Sequence, residues 1–147
     1  MNADEEYKAF VDTNILIYSI DRSMGKKHKR AQELLLLLAQ QNLLVLSTQS
    51  AREFSNVFIK KFGSSHTTQL LNLLDSSLEP YIAIRDTPQM IRSSILLSVE
   101  HGVSFYDALI LQSAIDAGCD VLYSEDFQHG RVYSGVQIIN PFLAKDL

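Results

Sequence analysis

The 147-residue chain has few of the residues that mark special classes of protein. It contains one cysteine, three prolines and six glycines. A single cysteine excludes an intrachain disulfide and fits a reducing cytoplasm, and Cys119, near the start of a predicted strand, is expected to be a buried, unreactive thiol. No segment has the composition of a linker, a repeat or a low-complexity region. We therefore expect one domain over residues 1–147.

Long apolar runs are also missing. The longest extends from Leu34 to Ala39, which is far too short to span a bilayer. It is flanked by KKHKR and QQN, and it lies too far from the N-terminus to be the core of a signal peptide. The sequence thus predicts a cytoplasmic protein that does not contact a membrane.

There is no excess of positive charge. Thirteen basic residues stand against 17 acidic ones, for a net charge of −4. This balance argues against indiscriminate nucleic-acid binding, although it leaves room for a local basic rim. The four histidines (His28, His66, His101 and His129) are scattered, and no histidine or cysteine has ligand spacing. A zinc site is therefore not expected.

What the chain does have is an alternation of short apolar segments and longer helical patterns. Strands are predicted at residues 8–11, 43–46, 81–84, 120–123 and 136–139. A helix is predicted to open at residues 14–19, and further helices at 26–41, 49–62, 65–78, 87–101 and 104–117. Strands that alternate with helices predict an α/β fold with a parallel sheet of four or five strands.

Four acids stand at the ends of these predicted elements: Asp12, Glu53, Asp107 and Asp126. Each has a structural explanation that is the better one when the acid is taken singly. Asp12 precedes a helix as an N-cap does. Glu53 and Asp107 each follow a serine by three residues, which is the spacing of a capping box. Asp126 follows a strand and needs only to turn the chain.

Taken together, the four acids favour a single pocket. Ligands of an open parallel sheet bind at the carboxyl ends of its strands, where Asp12 and Asp126 fall directly and Glu53 lies in the helix that follows. Two carboxylates about 4 Å apart repel by about 4 kcal/mol at an effective dielectric near 20. Four would protonate or bind a divalent cation. All-oxygen ligands favour Mg²⁺ or Mn²⁺ over Zn²⁺.

The motifs around these acids resemble those of PIN-domain nucleases. They are VDTNIL, the E-F of QSAREFSNVF, YDALIL and the S-E-D of YSEDF, and the ending YSEDFQHGRVYSGVQIINPF is similar to one group of bacterial VapC-type toxins. The resemblance covers residues 8–142. It implies a three-layer α/β/α fold and an endoribonuclease that uses Mg²⁺, with Mn²⁺ as a substitute. It also implies a homodimer and a cognate antitoxin protein.

The resemblance further implies roles for individual residues. Metal-binding catalytic roles fall to Asp12, Glu53, Asp107 and Asp126. Asn14 and Ser124 are expected to orient those carboxylates. Glu125 stands beside Asp126 on an extended segment, so its side chain should point the other way.

Basic residues near the acids in sequence predict where RNA would bind. The candidates are Lys26, Lys27, Lys29, Arg30, Arg52 and Arg131. For any one of them, solvation of a helix face is the simpler explanation. As a rim around the pocket they would steer phosphates, with an affinity that falls as salt rises.

Two alternatives stay open at this stage. One is a non-catalytic PIN-like module that binds RNA or a protein. The other is an aspartate-dependent phosphatase in which Asp12 is the nucleophile. The phosphatase is disfavoured because Asn14 replaces the second acid of the expected D-x-D motif and no lysine is clearly placed to assist.

Overall fold

A single sheet organises the chain in the computed structural model, which describes residues 7–145. Its strands are β1 (Ala9–Val11), β2 (Leu44–Ser47), β3 (Ile82–Ile84), β4 (Val121–Tyr123), β5 (Val132–Tyr133) and β6 (Val136–Ile139). Their order across the sheet is β3-β2-β1-β4-β6-β5. The first five in that order are parallel to their neighbours, and β5 is antiparallel to β6. The parallel α/β sheet predicted from the sequence is therefore confirmed.

The helices connect these strands. They are α1 (Thr13–Tyr18), α2 (Lys26–Gln40), α3 (Thr48–Phe62), α4 (Thr67–Leu73), α5 (Pro88–His101) and α6 (Phe105–Asp116). α5 has Pro88 in its first turn and Gly102 just beyond its end in the left-handed conformation, where glycine has no side-chain clash. The boundaries differ from the predicted ones by one or two residues at most helix ends.

Strand β5 is the element that the sequence analysis missed. It forms a hairpin with β6 through Ser134 and Gly135, whose φ angles are 48° and 85°. Two consecutive residues with positive φ make the tight turn that suits the twist of a hairpin. The Ser-Gly pair between apolar residues was the available signal. The five parallel strands agree with the predicted parallel sheet of four or five strands, and β5 adds an antiparallel edge strand that was not predicted.

The predicted helix over residues 65–78 was also wrong in its detail. The regular part is α4 alone, preceded by a 3-10 turn at Ser64–His66. A π-helical turn at Leu74–Leu78 and a 3-10 turn at Glu79–Tyr81 follow it. Pro80 lies inside the last of these turns, where its missing N–H and fixed φ prevent a longer helix.

Alternate side chains of the strands point to two separate cores, which gives three layers. On one face, Val11, Leu46 and Tyr123 pack with residues of α1, α2 and α3. On the other face, Phe10 and Leu122 pack with residues of α5 and α6. The central strands are buried on both faces, as expected for a parallel sheet that helices cover. The predicted three-layer α/β/α architecture is confirmed.

No single helix in the part of the chain that the structure describes is long and apolar enough to cross a membrane. α5 and α6 reach the required length and composition only as a pair, and they are bent by 116° at the break between them.

Candidate active site

Four acidic side chains from distant parts of the chain line one cavity. They are the acids singled out in the sequence: Asp12, Glu53, Asp107 and Asp126. The cavity has a volume of about 250 Å³ and lies at the carboxyl edge of the sheet. No lysine or arginine of residues 7–145 lines it. The structure thus brings together all four predicted site residues, although their roles as ligands stay predictions.

Asp12 lies at the centre of this edge because β1 and β4 end side by side. Val11 is paired with Tyr123, so Asp12 and Ser124 are the next residues on two adjacent parallel strands. The Ser124 hydroxyl donates to Asp12 Oδ2 at 2.8 Å, and the Thr13 backbone N–H donates to Oδ1 at 2.7 Å. Asp12 also stands at the N-cap of α1. Asp12 therefore caps a helix, as the structural explanation predicts, and also lines the cavity, as the proposed pocket predicts.

The Asp12 carboxylate is held in a costly environment. It is only 6% exposed. Its pKa is raised from 3.8 to about 7, mainly by burial and also by the charges of Asp126 and Asp107, although the hydrogen bonds from Ser124 and Thr13 lower it. A buried carboxylate with other carboxylates around it favours either a proton or a cation.

Glu53 reaches the cavity from inside α3 and does not cap that helix. The N-cap is Ser47, which forms a capping box with Ser50, so the predicted box from Ser50 to Glu53 was wrong. The helix begins earlier than predicted because β2 runs directly into it. Freed from a capping role, Glu53 accepts hydrogen bonds from Thr13 Oγ1 at 3.0 Å and from Gln49 Nε2 at 2.7 Å.

Asp107 enters the cavity from the first turn of α6. Ser104 is the N-cap of that helix, and its hydroxyl accepts the Asp107 backbone N–H at 3.2 Å. This is half of the predicted capping box. Among the described residues, no side chain hydrogen-bonds to the Asp107 carboxylate. That carboxylate is left free to face the cavity.

Asp126 forms the exposed rim of the site. Asn14 Nδ2 donates to its Oδ2 at 3.3 Å, and its own backbone N–H donates to Ser124 Oγ at 3.1 Å. Desolvation and the charge of Asp107 raise the pKa of Asp126. Asn14 and Ser124 therefore make the contacts that orienting roles require.

Glu125 points away from the cavity, as the alternation of side chains on an extended segment predicts. Its carboxylate accepts a hydrogen bond from the Tyr18 hydroxyl and forms an ion pair with Lys27 at 2.8 Å. The Lys27 ammonium also lies over the rings of Tyr18 and Phe142, at 5.1 and 5.3 Å from their centroids. This carboxylate is neutralised within the protein.

The donor set of the cavity fits a hard divalent cation. It consists of carboxylates with amide and hydroxyl neighbours, and a compensating cation is missing from the lining residues that the structure describes. Over residues 7–145, no three His, Cys, Asp or Glu side chains are placed to hold one ion together. Mg²⁺ needs fewer direct contacts than that, because it usually takes one or two carboxylates and keeps several waters.

The predicted RNA-binding residues lie outside the cavity, and several have other partners. Arg30 donates to the carbonyl oxygens of Pro141 and Ala144 at 2.9 and 2.7 Å, which ties the last described segment to α2. Arg52 pairs with Asp86. Arg131 lies 4.4 Å from the ring centroid of Tyr133. Lys26 and Lys29 are exposed on α2. RNA binding by these residues stays a prediction.

Four polar residues near the acids were not predicted from the sequence: Thr13, Gln49, Asn56 and Tyr106. Thr13, Asn56 and Tyr106 line the cavity, while Gln49 lies behind Glu53. Helical spacing was the available signal, since Gln49 and Asn56 lie four residues before and three residues after Glu53 on α3.

A larger cavity of about 500 Å³ lies elsewhere, on the helical layer that contains α1 and α2. Its lining is mostly apolar and includes Leu16, Leu35, Phe54 and Tyr81. No acidic or basic side chain of the described chain lines it. This larger cavity therefore offers no charged group to a ligand, in contrast to the acidic cavity.

The chain belongs to the PIN-domain family. A family model described as the PIN domain matches residues 9–134, which include all four acids of the cavity. The resemblance noted in the sequence is confirmed at this level. Comparison with curated protein sequences gave no match.

Two solved structures are similar in fold. The first is VapC20 from Mycobacterium tuberculosis, described as a toxin that cleaves the sarcin-ricin loop, with a TM-score of 0.64, 17% identity, and coverage of 81% of this chain and 90% of that one. The second is FitAcB from Neisseria gonorrhoeae, with a TM-score of 0.65, 17% identity, and coverage of 92% and 99%. Such low identities establish a shared fold alone.

Proposed function

We propose that the protein is a divalent-metal-dependent endoribonuclease, the toxin of a toxin–antitoxin pair, which acts in the cytoplasm. One observation carries the proposal: four carboxylates line a single cavity that has no basic side chain among its described lining residues. A binding module would gain nothing from such repulsion. The similarity in fold to a toxin that cleaves the sarcin-ricin loop adds support.

The residues that would hold Mg²⁺, or Mn²⁺ in its place, either directly or through waters bound to the ion, are Asp12, Glu53, Asp107 and Asp126. Asp12 is the central one because its buried carboxylate feels the charges of Asp126 and Asp107. Glu53 is fixed by two donors, and Asp126 by Asn14. A cation bound there would lower the pKa of water and neutralise charge that develops on the phosphate.

The protein's own side chains would then divide the remaining work. Asp107 is the carboxylate without a side-chain donor in the described part of the chain, so we assign it the proton of the attacking water. Ser124 and Thr13 keep the Asp12 oxygens in place. No side chain needs to form a covalent intermediate.

The phosphatase alternative finds no support in the site. Asn14, at the position of the second acid, donates to Asp126 and is not a proton donor to a leaving group. The lysine that would stabilise a phosphoaspartate has no counterpart among the described lining residues. The non-catalytic alternative is left as an outcome of the experiment below.

The partners follow from the same family resemblance. We propose that the protein forms a homodimer and pairs with an antitoxin protein that covers the acidic cavity. The negative charge of the cavity favours an antitoxin segment that presents a basic side chain. Basic residues on α2 would contribute to RNA binding through contacts with phosphate groups.

The test is cleavage of mixed RNAs by the purified chain in Mg²⁺, with and without EDTA. Asp12→Asn removes one charge with little change of shape. We expect this variant to lose at least about a hundredfold in rate, comparable to the loss of one electrostatic contact in other active sites. EDTA should abolish the wild-type activity.

Asp75→Asn is the matched control, because Asp75 is exposed in the π-helical turn and is not one of the residues that line the cavity. It should cleave at the wild-type rate. Equal rates for Asp12→Asn and wild type would contradict the assignment. RNA binding by the wild-type chain without any cleavage would favour the non-catalytic module.

A further inference from the structure

Gln49 occupies an unusual place for a polar side chain. It is the second residue of α3 and is only 2% exposed. Glutamine is mostly a surface residue, and its full burial requires partners. Its neighbour at helical spacing is Glu53, four residues later on the same face of the helix.

The Gln49 amide nitrogen serves two elements of the site. Nε2 donates to Glu53 Oε1 at 2.7 Å and makes a longer contact of 3.5 Å with the Tyr106 carbonyl oxygen. Tyr106 is the residue before Asp107. A single side chain therefore joins the helix that carries Glu53 to the helix that carries Asp107.

The Gln49 amide oxygen has no hydrogen-bond partner among the described residues, although it is buried. Such an orphan acceptor is destabilising. Turning the amide over would place this oxygen against the Glu53 carboxylate, since both groups are acceptors. The observed orientation thus gives the Glu53 carboxylate a hydrogen-bond donor, and it leaves a buried acceptor unpaired, which destabilises the fold.

We propose that Gln49 is a positioning residue, which holds the Glu53 carboxylate at the metal site and in register with Asp107. This inference rests on the proposed function of the cavity. The Thr13 hydroxyl on Oε2 completes the arrangement, because it holds the second oxygen of the same carboxylate at 3.0 Å. Glu53 is thereby fixed from both sides before any cation arrives.

The experiment replaces Gln49 by methionine, which keeps the length of the side chain and removes both the donor and the orphan acceptor. We expect the thermal midpoint of the metal-free protein to stay the same or rise. Mn²⁺ affinity, measured by calorimetry, should fall about tenfold to a hundredfold, as for other groups that orient ligands. In RNA cleavage, kcat should fall more than KM.

Gln112→Met is the matched control. Gln112 makes the same type of contact on the surface of α6, with Nε2 donating to Asp116 Oδ1 at 2.9 Å across one helical turn. Mn²⁺ affinity and cleavage should be unchanged in this variant. Thr13→Val is a second test variant, which removes the other donor to Glu53, and it should lower Mn²⁺ affinity in the same direction.

A metal-free readout separates this inference from the proposed function. The ¹³C chemical shift of the Glu53 carboxylate should move in Gln49→Met and stay in place in Gln112→Met. An unmoved Glu53 signal, or a Gln49→Met variant with wild-type Mn²⁺ affinity, overturns the positioning role. The positioning role is also overturned if Gln49→Met loses Mn²⁺ affinity together with a large fall in thermal midpoint, while Thr13→Val keeps the wild-type Mn²⁺ affinity. Wild-type protein that binds Mn²⁺ without cleaving RNA would remove the proposed nuclease and leave Gln49 testable by affinity.

Discussion

Asp12 and Asp21 lie at opposite ends of the segment that contains α1, and they differ in the charges that surround them. Both side chains are nearly inaccessible, at 6% and 5% exposure, and both cap a helical turn. Asp21 pairs with Lys61 and accepts from Ser23, which lowers its pKa to about 2. Burial and two neighbouring carboxylates raise the pKa of Asp12 to about 7.

The contrast separates acids whose charge is compensated by a lysine of the protein from an acid whose charge is not. Asp21 and Glu125 each form an ion pair with a lysine of the protein, so their negative charges are compensated without a ligand. Asp12 has hydroxyl and backbone donors but no cation among the described residues around it. We infer that a bound cation supplies the positive charge that Asp12 lacks. The experiments below either remove or enlarge this difference between Asp12 and Asp21.

The largest effect is expected from giving the cavity a cation of its own. Asn56 lines the cavity and is exposed on α3, so Asn56→Lys places an ammonium at its wall. Two unit charges about 6 Å apart at an effective dielectric of 20 repel by about 3 kcal/mol, and a divalent ion is repelled by about twice that. Solvent screening at this exposed position reduces the repulsion, so we expect a loss of at least about a hundredfold in Mg²⁺ affinity. Calorimetric titration and cleavage rates measure this loss.

Asn72→Lys makes the same change at an exposed position of α4 and should leave Mg²⁺ affinity alone. The comparison fails if Asn56→Lys binds Mg²⁺ as the wild type does.

Ser124→Ala should have the next largest effect. The hydroxyl is fully buried, donates to Asp12 and accepts the backbone N–H of Asp126. Loss of a group that orients metal ligands typically lowers metal affinity tenfold to a hundredfold, and we expect about that for Mg²⁺. Ser94→Ala removes an equally buried hydroxyl that bonds only within α5, so it serves as the control for general destabilisation. Equal Mg²⁺ affinities in the two variants would show that Ser124 has no special role.

A smaller effect is expected at the predicted basic rim. Lys26→Glu together with Lys29→Glu should weaken RNA affinity several-fold and flatten its salt dependence, because each lost contact with a single strand reduces the slope by about 0.7. Mn²⁺ affinity should change less than twofold. Lys27 is left intact because it neutralises Glu125. Arg85→Glu with Arg92→Glu gives the same change of net charge elsewhere. RNA binding that falls equally in both double variants would rule out a local rim.

The smallest effect concerns stability and pH. Asp21 titrates near 2 in the folded protein, below its usual 3.8, so its contribution is complete above about pH 4 and disappears as pH falls towards 2. Chemical unfolding should therefore show wild type more stable than Asp21→Asn at pH 7, with a difference that closes between pH 4 and 2. A difference that does not change with pH would mean that the ion pair with Lys61 contributes nothing.

Most of the fold follows from local pattern, and its exceptions have local causes. Short apolar segments between helical patterns, such as AFV and VLY, predict buried strands. The predicted strand boundaries lie within one or two residues of the observed ones. The hairpin strand β5 is only two residues long and has no apolar period to detect. The π-helical turn after α4 depends on packing and on Pro80.

The part of the site that could be predicted is the part whose position is determined by the order of the parallel strands. Asp12 and Asp126 follow strands that pair directly, so their convergence is a consequence of sheet topology. The place of Asp107 depends on how α6 packs, which sequence alone does not specify. The partners of single side chains, such as Gln49 on Glu53 or Tyr18 on Glu125, depend on tertiary contacts and could not be predicted.

Thermal unfolding with and without Mg²⁺, for wild type and Asp12→Asn, tests most directly whether the acidic cavity is completed by a cation. At about a hundred times the dissociation constant, bound Mg²⁺ adds about 2.7 kcal/mol, which is roughly 5–10 °C for a protein of this size. The wild type should gain this increase, whereas Asp12→Asn should gain little and unfold no earlier than the metal-free wild type. The same increase in both proteins, or none in the wild type, would contradict the account.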